Sequence, residues 1–185
     1  FDQEVGDPCA WNTSSSMATI FGTMRGNVTD SNNNVSGPPH VINHSWGSGP
    51  GSPNAWIGTE ADARAVDDEI WSQDQQHIFI AHNYGPNPGT VSQQGASKNN
   101  LTVGSISDFV GTTGDPGNNA NSSGRGPCGD GRWKPNVCAP GTSILSVNPN
   151  DLDGYTSKSG TSMAAPHVTG VASQLVDHYS FVRYE

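Results

Sequence analysis

Basic residues are scarce in this chain. Lysine and arginine together number 8, against 17 acidic residues, for a formal charge of −9. No Lys/Arg run or basic patch breaks that balance, so a nucleic-acid partner is excluded as a working idea. An acidic surface of this kind is read as a solubility feature. Apolar residues are also few, at 32%. No stretch comes near the roughly 18 apolar residues that a membrane-spanning helix needs. Cysteine occurs three times, at Cys9, Cys128 and Cys138. Cys128 and Cys138 flank the turn-rich run CGDGRWKPNVC and are a candidate pair, which leaves Cys9 odd.

Gly, Asn, Ser and Pro are abundant instead. With 185 residues, the chain suffices for one loop-rich domain with a real core, read over residues 1–185. Phe1 opens mid-pattern and Glu185 follows a helix directly, so both ends read as trimmed. Sequons begin at Asn12, Asn27, Asn34, Asn43, Asn100 and Asn121. Together they point to a secreted glycoprotein. Asn43 is the weakest acceptor, because it sits inside a strand pattern.

Residues 1–38 are polar and irregular, apart from an apolar stretch around Met17 to Met24. The pattern predicts strands at HVINHSW (40–46), HIFIAH (77–82) and NLTVGSI (100–106), with further short strands over 137–147. A helix is predicted over 60–73, with Ala63, Val66 and Ile70 on one face. A last helix starts at Thr161, with Ala164, Val168, Val171, Ala172 and Leu175 at helical spacing. Strands alternating with helices imply parallel crossovers, hence a three-layer α/β/α domain around a mostly parallel sheet. Sites in such sheets form beyond the carboxyl ends of the strands.

The chemistry concentrates in SGTSMAAPHVTG, residues 159–170. A glycine precedes a helix start, a serine sits in the first turn near the positive end of the helix, and small residues follow. Pro166 lies a few residues in and removes an early backbone donor at modest cost. Alone, Gly-Thr-Ser is a helix cap. The whole segment resembles the nucleophile segment of subtilisin-like serine proteases, the subtilases. HVINHSWGS, IFIAHNYGPN, GASKNNLTVGSIS and GRGPCGDGRWKPNVCAPGTSILSV resemble further segments of that family in its own order, closest to a bacterial alkaline-protease branch. The resemblance covers about residues 16–178.

The resemblance implies that Ser162 is a nucleophile and that Asn83 is the side-chain donor of an oxyanion hole, beside the Ser162 N–H. Ser45, Trp46, Gly47, His82 and Gly85 would line the substrate cleft. His82 stands where the family prefers a small residue and would crowd that hole. The substrate implied is a peptide or protein, and no cofactor is required. Family members often bind calcium in surface loops, which makes Asp115, Asp130, Asp151 and Asp153 candidate oxygen donors, although no metal-ligand spacing is diagnostic.

The family pattern then fails at two places. A serine nucleophile needs a base, and the family order is Asp, His, Ser. The best match to the histidine segment is SMATIFGTMRGN, which puts Ser16 where that histidine belongs; serine cannot accept a proton near neutral pH. Nothing before Ser16 resembles the aspartate strand. The N-terminal part is therefore read as missing or shortened, and the substrate-pairing edge strand after Asn27 is absent as well. His40, His44, His77, His82, His167 and His178 are each read as structural or surface residues rather than as a substitute base. Two expectations follow: an endopeptidase whose His and Asp lie outside this chain, or an inactive scaffold serving as a secreted structural or binding glycoprotein. A lost edge strand would leave an open sheet edge, so self-assembly is a third expectation.

Overall fold

The computed structural model describes residues 16–26, 33, 37–49, 56–107, 118–151 and 153–182. The chain divides into two compact units, Phe1–Pro39 and His40–Glu185.

In the first unit, α1 spans Met17–Met24. Ser16 is its N-cap, in extended backbone conformation, and its Oγ accepts from the Thr19 N–H at 3.3 Å. Met17 and Phe21, one turn apart, are buried. The sequence marks it only as an apolar stretch in irregular chain, because eight residues with apolar side chains on most sides give no clear helical period.

The second unit is built on four parallel strands in the order β1 (Val41–His44), β2 (Gln76–Ile80), β3 (Leu101–Ile106), β4 (Val137–Pro140). Ile42 sits opposite His77, Ile78 opposite Leu101, and Val103 opposite Val137. Helix α2 (Ala61–Gln73) packs against β2. Its entry is fixed by the Glu60 carboxylate, which accepts from the N–H groups of Ile57 and Gly58, both at 2.9 Å. Asp74 ends it in a left-handed conformation (φ 52°). Its buried face is Ala63, Val66 and Glu69, so a carboxylate and not Ile70 completes the expected stripe.

Strand β2 is buried on both faces, which is why it reads as a continuous apolar run rather than as an alternation. Ile78 and Ile80 join Val103, Ala139, Ala164 and Ala165 in one core, against helix α3 (Thr161–Val182). His77 and Phe79 point to the other face. There His44 stacks on Phe79 with ring centroids 4.1 Å apart, and Trp46 meets Phe79 edge-on at 5.3 Å. Small residues at 164 and 165 let α3 lie close to the sheet. Its outer stripe was expected in the core, yet Val171 and Leu175 are about half exposed, at 56% and 52%.

A separate antiparallel pair joins β5 (Ile144–Val147) to β6 (Tyr155–Lys158). Strand β6, sequence YTSK, carries no readable alternation and was not expected. A short 3-10 turn at Gln94–Ala96 completes the described elements.

Candidate active site

Three segments meet beyond the carboxyl ends of β1 and β2: Ser45 to Gly49, His82 to Gly85, and the first turn of α3. Ser162 is the second residue of α3. Its N–H is therefore one of the first-turn donors that no helical carbonyl reaches. Its Oγ donates to the Ser45 carbonyl at 3.1 Å, and the Ser45 Oγ donates back to the Ser162 carbonyl at 3.1 Å. The second bond has a clear cause. Pro166 has no N–H, so the Ser162 carbonyl loses its helical donor four residues on, and the Ser45 hydroxyl replaces it. Asn43 steadies Ser45 through Nδ2 to Oγ (2.9 Å), and Thr169 Oγ1 donates to Asn43 Oδ1 (3.2 Å).

Asn83 is fixed with equal definition. Thr161 donates to its Oδ1 from the backbone N–H (2.9 Å) and from Oγ1 (3.1 Å). A backbone N–H can only donate, so the contacting atom is the amide oxygen. The Nδ2 group is the end left over, on an exposed residue, and it has no partner among the described residues. Gly160 (φ 148°) permits this approach, because a Cβ there would sit 3.3 Å from the Asn83 amide. A serine at a helix N-terminus beside a pre-oriented amide donor is suited to stabilising an oxyanion during acyl transfer.

His82 has a left-handed backbone (φ 77°), a conformation of order 1–3 kcal/mol costly for a residue with a Cβ. That turn ends β2 at Ile80, short of the expected 82. Its Nδ1 accepts from the Asn83 N–H at 2.8 Å, so Nε2 carries the ring hydrogen and donates to the Gly47 carbonyl at 3.1 Å. Burial lowers its pKa, and the Gly47 hydrogen bond partly opposes this.

Ser45 is thus bonded to Ser162, Asn83 to the neighbouring Thr161, and His82 to Gly47. Trp46 and Gly85, also expected to line the cleft, have the following contacts. The Trp46 ring packs on His44 and Phe79. Gly85 lies against the Asn121 and Ser123 backbone, and its N–H donates to Ser122 O. Ser16 has its hydroxyl on Thr19, as a helix cap. Among the described residues no imidazole hydrogen-bonds Ser162. His44 and His77 are fully buried and bonded to each other at 2.9 Å, and the His167 Nδ1 meets the Met163 carbonyl. Thr161, which orients Asn83, was read only as a helix-start residue; the contact is non-local and left no signal in the sequence.

Three further expectations are corrected or bounded. Cys128 and Cys138 are both free thiols: Cys128 is buried with its N–H on Arg132 O, whereas Cys138 lies on β4 with its Sγ beside Asn119. Asn100 is not a glycan acceptor in the folded domain. It is buried, its Nδ2 donates to Gln94 O, and its Oδ1 accepts from Lys134 Nζ at 2.8 Å. Asn121 is exposed, whereas Asn12, Asn27, Asn34 and Cys9 lie outside the described residues. For calcium the donors do not fit. The Asp130 carboxylate pairs with Arg132 at 2.7 Å, and Asp151 Oδ1 accepts from Asp153 N. No three His, Cys, Asp or Glu residues converge among the described residues, where calcium takes six to eight oxygens. Asp115 lies outside the described residues.

A parallel sheet thus carries a serine-led helix and a fixed amide at its carboxyl edge. The chain belongs to the Subtilase family, whose model matches residues 10–182. It is 34% identical over 125 residues to the serine protease AprX of Bacillus subtilis strain 168, covering 61% of this chain and 28% of that protein. It is 58% identical over 38 residues to an extracellular serine protease of Serratia marcescens, covering 20% of this chain and 3% of that one. Among solved structures it resembles Sphericase, with a TM-score of 0.55 at 26% identity, over 75% of this chain and 43% of that chain. The chain thus spans about a quarter of AprX and under half of Sphericase.

Proposed function

We propose that this chain carries the nucleophile and the oxyanion donor of a secreted serine endopeptidase, as one subtilase-like domain over residues 1–185. The observation that carries the reading is the locked Asn83 amide, with Nδ2 open beside the helix N-terminus that bears Ser162. Ser162 Oγ attacks a peptide carbonyl and its proton passes to a base. The oxyanion takes hydrogen bonds from Asn83 Nδ2 and the Ser162 N–H. The C–N bond then breaks, the amine leaves with the proton, and water hydrolyses the acyl-serine. Losing such a donor costs about 3 kcal/mol of transition-state stabilisation, a magnitude that is subtilisin's own. The base and its aspartate belong to chain outside these 185 residues. The short share of AprX and Sphericase that this chain spans supports that assignment. Extracellular relatives such as the Serratia protease, together with the exposed Asn121 that opens a sequon, support secretion and glycosylation.

A second reading has its own observation. Ser162 Oγ donates to a carbonyl, and the residue in the histidine's place, Ser16, is a helix cap. Both suit an inactive scaffold; among the described residues β1 is an edge strand of its sheet, and an edge left unpaired would allow such a scaffold to self-assemble. The two readings separate in a peptide-hydrolysis assay on the full-length gene product. The first predicts turnover that Ser162→Ala removes; turnover unchanged in Ser162→Ala, or absent from a folded full-length protein, favours the scaffold.

A further inference from the structure

The loops after β1 and β2 are joined to each other by side chains. His82 leaves β2 in a left-handed turn that carries its ring towards the loop after β1. The ring is bonded at both ends, by Nε2 to the Gly47 carbonyl and by Nδ1 from the Asn83 N–H. Tyr84 stacks on it, with centroids 4.3 Å apart and planes 19° from parallel. The Tyr84 ring in turn rests on Gly49, where any Cβ would collide with its Cε2 and Cζ atoms. Two stacked rings therefore bridge the segments 45–49 and 82–85.

Ser162 is bonded to the first of these segments, and Asn83 belongs to the second. A carbonyl whose oxygen meets Asn83 Nδ2 and whose carbon meets Ser162 Oγ has its own α-carbon one bond away. The ring bridge therefore joins the two segments that hold Ser162 and Asn83 in place around that carbonyl.

We propose that His82, backed by Tyr84, is the specificity-determining residue of the site: it fills the slot next to the reacting carbonyl and restricts that substrate residue to glycine or alanine. This rests on the reading of Ser162 and Asn83 as the reacting centre. The neutral ring is the form that fits, since its Nδ1 must remain an acceptor for Asn83. Opening the slot needs only His82→Gly, because glycine adopts the φ of 77° without strain.

The test uses binding, so that it does not depend on turnover. Acetylated tetrapeptides ending in alanine or phenylalanine carboxylate are titrated against the folded protein, with NMR signals of Gly47, Gly49 and Tyr84 as the readout. The native protein is expected to bind the alanine peptide on the order of tenfold more tightly than the phenylalanine peptide, and His82→Gly to gain on the order of tenfold for phenylalanine. A second variant, His82→Asn, tolerates the left-handed backbone but is too short to reach Gly47, and should show part of the gain. Equal binding of both peptides by the native protein, or no gain in either variant, overturns the proposal. A Ser162 that fails to react would overturn the endopeptidase reading and leave this preference readable.

Discussion

At the scale of single residues, the molecule assigns unusual surroundings to its histidines. His77 is buried next to Glu69 on α2 and bonded to His44, and its pKa is lowered to about 4, by burial first, with Glu69 opposing. His44 is held well below its ordinary range by burial and by His77. Both rings are neutral in the folded protein at neutral pH. The unfolded chain takes up these protons near pH 6.5. Stability is therefore fully present above about pH 6.5 and falls as the pH drops towards about 4. Each ring contributes a slope of up to about 1.4 kcal/mol per pH unit. Melting temperature measured from pH 8 to pH 4.5 should decline below about 6.5, and His77→Gln should decline less steeply. A slope unchanged in the variant contradicts this account of the pair. None of it was legible beforehand: the sequence shows histidines at 44 and 77 but not that strands 41–44 and 76–80 run side by side. The nucleophile was legible, because a long run of residues around Ser162 resembles one family segment. The lock of Thr161 on Asn83 was not, because it joins positions far apart in the chain.

At the scale of elements, α3 shows how a proline is accommodated in a functional helix. Pro166 deprives the Ser162 carbonyl of its donor, and Ser45 supplies one from the loop after β1. Ser45→Ala should leave that carbonyl unpaired, release Asn43 Nδ2, and destabilise the domain by about 1–3 kcal/mol. A denaturant titration checks it; an unchanged midpoint would mean that water replaces the hydroxyl. The strands β1 to β3 were readable because each is a short apolar run bounded by turns. The end of β2 shifted because backbone conformation, not hydrophobicity, decides it at His82, whereas α2 ends before Asp74 where expected. The face of α2 was misread at Glu69, since a buried carboxylate beside a buried histidine breaks the apolar pattern. Strand β6 was missed because its antiparallel pairing with β5 leaves Leu145, Val147 and Tyr155 exposed, so no side is apolar enough to mark it.

At the scale of the whole molecule, the chain belongs to the Subtilase family, and it sets Ser162 in the first turn of α3 beside an Asn83 amide locked by Thr161. The exposed apolar stripe of Val171, Leu175 and Tyr179 on α3 belongs to a helix that this chain covers on one side. The central claim is that Ser162 is a nucleophile served by Asn83. It is tested most directly by treating the full-length gene product with a fluorophosphonate probe and mapping the modified peptide. The account predicts a covalent adduct on Ser162, lost in Ser162→Ala and slowed by roughly 10²–10³ in Asn83→Ala. A folded, uninhibited protein that takes up no label at Ser162 would contradict it and leave the scaffold reading in its place.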